Sequence, residues 1–213
     1  MKRTRVLLAD DHKIILDGLK KLLEPEFEIV GTVEDGRALV SAALEWSPEV
    51  IVVDISMPLL NGIEAVRQIR KSNPSVKIVF LTMHPDVTYA IRAFEAGASG
   101  YVLKHAASSE LLSAISEALK GRTFVTPMIA KELIESYREG RFHLEESHQL
   151  TDRQREILQL LAEGHAPKEI AQILNISPRT VEFHKYSLME KLHLKTVSAL
   201  IQYAIKHGIA GLE

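Results

Sequence analysis

Short apolar runs alternate with helical segments along the first 121 residues of the chain. The runs begin at residues 6, 29, 50, 78 and 101. Between them, apolar positions recur with helical spacing, as at Ile14, Ile15, Leu19 and Leu22. Each run is apolar throughout instead of alternating with polar residues, which is typical of strands covered on both faces. We therefore expect residues 1–121 to form a doubly wound α/β domain, a parallel sheet of five strands with five helices.

The alternation of apolar runs and helical segments ends after Gly121. Pro127 suits the first turn of a helix, which the pattern continues to about Arg138. The following residues, 141–149, are polar and have no apolar periodicity. Residues 122–149 are therefore predicted to form a linker that contains one helix.

The rest of the chain, residues 150–213, has the pattern of a small all-α domain. Thr151 and Gln154 have the spacing of a capping box, in which the hydroxyl accepts the backbone N–H three residues on. Gly164 can end the helix that begins there, and Pro167 suits the first turn of the next. The predicted helices cover residues 151–163, 167–174, 178–192 and 196–207.

Composition and charge narrow the class of protein. The chain is 46% hydrophobic and 25% charged, which is typical of globular proteins. It has no cysteine, so a metal would have to bind oxygen or imidazole ligands. The net charge is −2, although residues 177–195 carry four basic and two acidic side chains. No apolar run approaches a membrane span of about 18 residues. The apolar stretch after the basic segment 2–5 stops at Asp10 and is shorter than the pattern of a secretory signal requires. We expect no membrane association and a cytoplasmic location.

Chemically matched side chains follow four of the predicted strands. Asp10 and Asp11 follow the first, Asp54 the third, Thr82 the fourth and Lys104 the fifth. Because ligands of a doubly wound sheet bind beyond the carboxyl ends of its strands, we expect these groups to meet at one edge. Neighbouring carboxylates repel one another unless a cation is present, and Mg²⁺ prefers such oxygen ligands. A carboxylate beside Mg²⁺ can also attack a phosphoryl group and form an acyl phosphate.

Each of these residues, taken singly, has an ordinary explanation. An aspartate after a strand is usually a turn or cap residue, a threonine often starts a helix, and a lysine is usually solvated. Four different strand ends that supply matching chemistry are harder to explain in this way. The combination predicts a Mg²⁺-dependent site for a phosphoryl group.

These residues resemble a known family. Asp10-Asp11, the segment DISMPLLNG that begins at Asp54, Leu81-Thr82 and Lys104 are similar to the receiver domain of bacterial two-component response regulators, over about residues 3–121. The resemblance implies a flavodoxin-like fold with Asp54 as the phosphoacceptor. It also implies Mg²⁺ bound directly by Asp11, Asp54 and the Ser56 backbone carbonyl, with Asp10 acting through water.

The resemblance further implies which residues sense the phosphoryl group. Thr82 and Lys104 would contact it, and Tyr101 would be the aromatic residue whose rotation reports phosphorylation. Tyr101 has an alternative interpretation as a half-buried strand residue, and both remain open. Ser56 and His84 occupy positions that tune dephosphorylation in this family, although ordinary loop polarity would also explain them.

The second domain contains a helix-turn-helix pattern. Ile170 and Leu174 give the first helix an apolar face, and Asn175 lies in the turn. Ser177 caps the next helix, with Pro178 at its first position. In this architecture the second helix enters the major groove of DNA.

Residues 150–196 resemble the LuxR-type helix-turn-helix, so the whole chain is similar to NarL/FixJ-type response regulators. The resemblance implies that Glu182, Phe183 and Tyr186 face base edges. Glu182 would accept from cytosine N4, and Phe183 would contact a thymine methyl. The candidates for phosphate contacts are Lys168, Ser177, Arg179, Thr180, Lys185 and Lys191.

An apolar stripe on the last predicted helix has two interpretations. It could pack inside the small domain, or it could form a homodimer surface as the family's last helix does. The sequence leaves both interpretations open. The stripe consists of Val197, Leu200, Ile201 and Ala204.

We therefore expect a DNA-binding transcriptional response regulator, not an enzyme. A partner histidine kinase or a small phosphodonor would phosphorylate Asp54, and phosphorylation would control homodimerisation or release of the DNA-binding domain. One alternative is an aspartate-nucleophile phosphohydrolase, but such enzymes usually have Asp-x-Asp on the nucleophile strand, whereas Asp54 is followed by Ile55-Ser56. The other alternative is a module whose helical domain binds protein.

Overall fold

The structure, a computed structural model, describes residues 3–138 and 150–211 of the 213-residue chain. The chain divides into two compact units, residues 1–143 and 144–213. The first is an α/β unit and the second is helical, and each is described by itself. Within the described ranges, no helix has both the length and the apolar character required to cross a membrane.

Within residues 3–138, the first unit contains a parallel sheet of six strands in the order β2-β1-β3-β4-β5-β6. The position of β1 between β2 and β3 makes the sheet doubly wound, because the chain turns back on either side of it. The strands are β1 Arg5–Ala9, β2 Glu28–Val33, β3 Val50–Val53, β4 Lys77–Thr82, β5 Gly100–Leu103 and β6 Phe124–Val125.

Helices follow the strands. Several begin at a capping side chain that satisfies a free backbone N–H, as Asp35, Asn61 and Asp86 do. A short 3₁₀ turn, Lys104–Ala106, precedes the fifth helix. The helices are α1 Lys13–Leu23, α2 Gly36–Trp46, α3 Gly62–Ser72, α4 Val87–Glu95, α5 Ala107–Leu119 and α6 Pro127–Arg138.

Burial on both faces of the sheet confirms the predicted fold class. Leu7 and Leu8 are adjacent in β1 and fully buried, yet they belong to two different apolar clusters. Successive side chains of a strand point to opposite faces, so these clusters fill the two layers of helix packing. All five predicted strands and their helices are present.

The sixth strand was not predicted. It is only two residues long, Phe124–Val125, and pairs with β5. Two residues are too few to show a periodicity, which is why the pattern of the sequence missed it. The strand leads directly into α6, which begins at Pro127 as predicted.

Helix α6 packs on the first unit through α4 and β5. Ile129 is fully buried in the same apolar cluster as Tyr101, and Leu133 packs against that cluster. The backbone N–H of Thr126 donates to the Tyr101 carbonyl across 3.0 Å, and its hydroxyl donates to Glu110 across 2.6 Å. The start of the predicted linker is therefore attached to the strand that carries Tyr101. The predicted linker residues 139–149 lie outside the described ranges.

In the second unit, the described residues 150–211 form four helices. Thr151 and Gln154 form the predicted capping box at the start of the first of them. The core of this unit is apolar and includes Ile157, Ile170, Val181 and Leu200, all fully buried. The helices are α7 Asp152–Ala162, α8 Pro167–Leu174, α9 Pro178–Lys191 and α10 Val197–Lys206, within one residue of the predicted bounds.

Candidate functional sites

The four predicted strand ends lie side by side. Strands β1, β3, β4 and β5 are consecutive neighbours in the sheet. Asp10 follows β1, Asp54 follows β3, Thr82 ends β4 and Lys104 follows β5. Because all strands run in parallel, these residues come out at the same edge of the sheet, as the sequence predicted.

Lys104 joins the two most buried carboxylates of this edge. Its Nζ lies 2.7 Å from Asp54 Oδ2 and 2.8 Å from Asp10 Oδ2. The other oxygen of Asp54, Oδ1, accepts the backbone N–H of Ile55 across 2.6 Å. Asp10 and Asp54 are 2% and 4% exposed, so both charges are largely removed from water. One ammonium group thus compensates two buried carboxylates.

Burial and charge act in opposite directions on this cluster. Burial raises the pKa of Asp54, and the Asp10 carboxylate raises it further, while Lys104 lowers it; the net shift is upward. Burial lowers the pKa of Lys104, but the ion pairs with Asp54 and Asp10 outweigh this, and the net pKa is raised. Lys104 therefore stays charged. Its single positive charge does not fully offset the burial of Asp54 beside Asp10, so a further cation would stabilise the ionised carboxylates.

The same edge gathers carboxylate and imidazole groups that could hold a metal ion. Ligand atoms of Asp10, Asp11, His12 and Asp54 all lie within 4.8 Å of one another. Asp11 Oδ1 is buried and has no hydrogen-bond partner among the described residues, although His12 Nδ1 is 2.8 Å away. A buried carboxylate oxygen without a hydrogen bond, beside two further carboxylates, fits the oxygen ligands that Mg²⁺ prefers.

Thr82 and the loop after it form one wall of the site. Thr82 is fully buried, and its hydroxyl accepts the backbone N–H of His84 across 3.3 Å. The His84 Nε2 lies 2.7 Å from Ser56 Oγ, so the loops after β3 and β4 are joined by a side-chain hydrogen bond. Burial lowers the pKa of His84, which favours the neutral ring.

Tyr101 lies on β5 with its side chain buried, so the interpretation as a half-buried strand residue does not describe this conformation. Its hydroxyl donates to the His84 backbone carbonyl across 2.8 Å. The His84 ring stacks on Tyr89 of α4, with ring centroids 4.1 Å apart. His84 thus connects Ser56, Tyr101 and α4. The resemblance implied a role for His84 in tuning dephosphorylation, with loop polarity as the alternative, but the sequence did not suggest its contacts with Tyr101 and Tyr89.

The second candidate site is the helix-turn-helix of α8 and α9. Asn175 adopts a left-handed conformation, φ +52°, which makes the sharp turn after α8. Ser177 Oγ accepts the backbone N–H of Thr180 across 3.1 Å and caps α9, as predicted. Val181 and Leu188 of α9 are fully buried, whereas Phe183 and Tyr186 are 68% and 62% exposed. Helix α9 therefore has one face in the core of its unit and an outer face that exposes two aromatic side chains.

The predicted phosphate contacts differ in accessibility. Lys185 is only 13% exposed, and its Nζ lies 2.5 Å from Glu182 Oε2 and 4.9 Å from the centre of the Tyr186 ring. Thr180 is half-buried beside the capping serine. The exposed candidates are Lys168, Ser177, Arg179 and Lys191.

The four dimer candidates separate into two groups. Leu200 and Ala204 are fully buried in the core of the second unit, where they hold α10 on the other helices. Val197 is 38% exposed and Ile201 is half-buried. Only Val197 and Ile201 are available for a second copy in this conformation.

Comparisons with known proteins assign each of the two units to a known domain family. Residues 6–116 match the response regulator receiver domain, and residues 148–204 match the luxR family of bacterial regulatory proteins. The chain is 32% identical to the transcriptional regulatory protein DegU of Brevibacillus brevis, with 97% of this chain and 94% of DegU covered. It is 36% identical to the oxygen regulatory protein NreC of Staphylococcus aureus, covering 95% and 97% of the two chains.

A solved structure of a DNA-bound regulator is similar to nearly the whole chain. RcsB from Salmonella enterica serovar Typhimurium, bound to a promoter in the presence of the phosphomimetic BeF₃⁻, is 31% identical with a TM-score of 0.62, covering 96% of this chain and all of RcsB. A receiver domain followed by a LuxR-type helix-turn-helix defines a class of DNA-binding transcription regulators and not of enzymes. The chain belongs to the response regulators of the NarL/FixJ type.

Proposed function

We propose that Asp54 accepts a phosphoryl group from a histidine kinase or a small phosphodonor, and that this step controls DNA binding by residues 150–213. The observation that carries the proposal is the contact of one ammonium group, Lys104 Nζ, with both Asp54 and Asp10 at 2.7 and 2.8 Å. The ammonium group of Lys104 thus lies directly beside the carboxylate that would react, where it can offset the negative charge of an incoming phosphoryl group.

In the transfer, an oxygen of the Asp54 carboxylate forms a bond to phosphorus. The bond between phosphorus and the donor breaks, and the donor's imidazole nitrogen or acetate oxygen keeps the electron pair. Lys104 would then contact a phosphoryl oxygen, and the Thr82 hydroxyl, which now accepts the His84 N–H, would donate to another.

A Mg²⁺ ion, when bound, would neutralise the carboxylates and the phosphoryl oxygens. Asp11 and Asp54 would hold it directly, together with the backbone carbonyl of Ser56, and Asp10 would act through water. The chain's own contribution is to hold the carboxylate oxygens of Asp10, Asp11 and Asp54 within one small volume and largely out of bulk water. Electrostatic interactions are stronger in such a site than in bulk water.

The path from the site to the output begins at Thr82. If the Thr82 hydroxyl turned to the phosphoryl group, it would release the backbone N–H of His84. The backbone carbonyl of His84 accepts the Tyr101 hydroxyl, and the His84 ring stacks on Tyr89. Movement of this loop therefore changes Tyr101 and α4 together, and α6 packs on both. We propose that this shift releases or pairs the DNA-binding domains as homodimers.

The DNA-binding part would be α8 and α9. The exposed Lys168, Ser177 and Arg179 would contact phosphates, with Thr180, Lys185 and Lys191 as further candidates, and the outer face of α9 would contact bases. The receiver domain would comprise residues 1–121, the linker residues 122–149 and the DNA-binding domain residues 150–213. A regulator of this kind would work in the cytoplasm beside the chromosome.

DNA binding by the full-length protein tests this proposal. Operator fragments selected from random DNA should bind more tightly after treatment with acetyl phosphate and Mg²⁺ in the wild type, and not in Asp54→Asn. The affinity should fall steeply with salt, because phosphate contacts release counterions. A helical domain that binds protein through an apolar contact would not bind the selected DNA in this salt-dependent way. Failure of the phosphorylated protein to bind DNA with a steep salt dependence would therefore overturn the DNA-binding proposal.

A further inference from the structure

Thr126 is a buried residue between β6 and α6 that bonds to several elements of the first unit. It is only 4% exposed. Its backbone N–H donates to the Tyr101 carbonyl of β5 across 3.0 Å. Its own carbonyl accepts the N–H groups of Ile129 and Ala130, in the first turn of α6, across 2.9 and 3.1 Å. The main chain of this one residue therefore links β5 to the start of α6.

The Thr126 hydroxyl makes two further hydrogen bonds. It donates to Glu110 Oε2, in the first turn of α5, across 2.6 Å. Its lone pairs remain free to accept, and they take the backbone N–H of Leu103, the last residue of β5, across 3.2 Å. Because β6 ends at Val125, the hydroxyl replaces the backbone acceptor that a longer parallel strand would supply. The hydroxyl therefore holds the end of β5 against α5 and the start of α6.

The end of β5 that Thr126 holds also carries the cation of the acidic site. Leu103 directly precedes Lys104, whose Nζ lies 2.7 Å from Asp54 and 2.8 Å from Asp10. The backbone position of this strand end sets where the ammonium group can reach. A displacement of Lys104 would therefore act on the hydrogen bond from Leu103 to Thr126, and through Thr126 on the first turn of α6.

We propose that Thr126 is a positioning residue for Lys104, and that it transmits a displacement of Lys104 to α6. Its hydrogen bonds hold the strand end before Lys104 and the first turn of α6 at the same time. A phosphoryl group that draws Lys104 toward itself would weaken the bond from Leu103 to Thr126 and loosen the start of α6. The inference rests on the proposed function and adds a route to α6 that begins at Lys104 instead of Thr82.

Hydrogen exchange of α6 in the full-length protein tests the transmission. Mass spectrometry follows a peptide of residues 124–138 with Mg²⁺ alone and with Mg²⁺ and BeF₃⁻, which mimics the phosphoryl group. In the wild type, we expect BeF₃⁻ to raise the exchange rate about fivefold, the value of one hydrogen bond. Thr126→Val keeps the shape of the side chain but lacks the hydroxyl. Its exchange should already be raised about fivefold without BeF₃⁻, and BeF₃⁻ should add nothing further.

The rate of phosphorylation tests the positioning of Lys104. With acetyl phosphate and Mg²⁺, Thr126→Val should be phosphorylated about tenfold more slowly than the wild type, because a misplaced ammonium group loses part of its effect. Thr126→Ser keeps the hydroxyl and should restore both the rate and the response of α6 to BeF₃⁻. Glu110→Ala removes only the acceptor of the hydroxyl proton and should change both quantities in the same direction as Thr126→Val. Thr123→Val, at an exposed position before β6, is the matched control and should behave as the wild type.

The possible failures are distinguishable. A wild-type phosphorylation rate in Thr126→Val, or a BeF₃⁻-dependent rise in α6 exchange that persists in this variant, would show a merely structural role and overturn the inference. A wild type that is phosphorylated without any change in α6 exchange would overturn it as well, and both results leave the proposed function intact. If Thr126→Val does not fold, Glu110→Ala decides by the same two criteria. Failure of the wild type to be phosphorylated by either donor would overturn the proposed function itself, and with it this inference.

Discussion

The Tyr101 hydroxyl donates a hydrogen bond to the backbone carbonyl of His84, 2.8 Å away, and so ties β5 to the loop that follows Thr82. This bond connects the acidic site with the part of the domain on which α6 packs. It also makes the proposed route testable one residue at a time.

Tyr101→Phe should remove this bond and keep the buried ring. We expect the free energy of unfolding to fall by about 1 kcal/mol, the usual value of one hydrogen bond. Phosphorylation by acetyl phosphate should proceed at the wild-type rate, but the gain in DNA affinity on phosphorylation should become smaller. Urea denaturation, intact-mass kinetics and DNA titrations measure the three quantities. The control is Tyr89→Phe, which leaves the Tyr101–His84 bond in place; an unchanged gain in affinity in Tyr101→Phe would contradict the route.

Lys104→Met should leave the Asp10 and Asp54 carboxylates without their shared cation. Because Lys104 now lowers the pKa of Asp54, its loss should raise that pKa further. We expect phosphorylation from acetyl phosphate to slow about 10²-fold, as for the loss of one group that stabilises transition-state charge. The matched control is Lys120→Met, an exposed lysine directly after the end of α5. Wild-type kinetics in Lys104→Met would show that the ammonium group does not act on the phosphoryl group.

Mg²⁺ should stabilise the folded protein in the absence of any phosphodonor. A ligand that binds only the folded state at about 100 times its Kd adds about 2.7 kcal/mol to the free energy of unfolding. Asp11→Asn should lose most of this gain, since Asp11 supplies the buried oxygen that has no hydrogen bond among the described residues. Asp17→Asn changes the same charge on the exposed side of α1 and should keep the gain. Equal Mg²⁺ effects in both variants would place the ion elsewhere.

Ile129→Ala should detach α6 from the first unit. Ile129 is fully buried beside Tyr101, so we expect a loss of about 2–5 kcal/mol in the free energy of unfolding. Met128 is 49% exposed, and Met128→Ala should stay within about 0.5 kcal/mol of the wild type. Urea denaturation of the full chain measures both. Equal stabilities would mean that α6 is not held by this contact.

Much of this fold follows from local patterns. Strands covered on both faces are apolar throughout, and caps such as Thr151 and Ser177 depend on residues three positions apart, so the sequence predicts them. The shared edge of the sheet is also predictable, because parallel strands bring their ends together. The strand Phe124–Val125 has no such signal.

What the sequence could not show depends on contacts between distant residues. Ser56 and His84 are 28 residues apart, and their hydrogen bond exists only because β3 and β4 are neighbours. The ion pair of Lys185 with Glu182 competes with the phosphate contact expected of that lysine, and spacing alone does not decide between them. Likewise, an apolar stripe does not reveal that Leu200 is used by the core.

Phosphorylation of Asp54 is tested most directly by intact-mass spectrometry of the wild type and Asp54→Asn after incubation with Mg²⁺ and acetyl phosphate or the partner kinase. We expect the wild type to gain the mass of one phosphoryl group and Asp54→Asn to gain none. Sedimentation velocity on the same samples then shows whether the phosphorylated form becomes a dimer. Phosphorylation of Asp54→Asn to the same extent, or no phosphorylation of the wild type by either donor, would contradict the assignment of Asp54 as the phosphoacceptor.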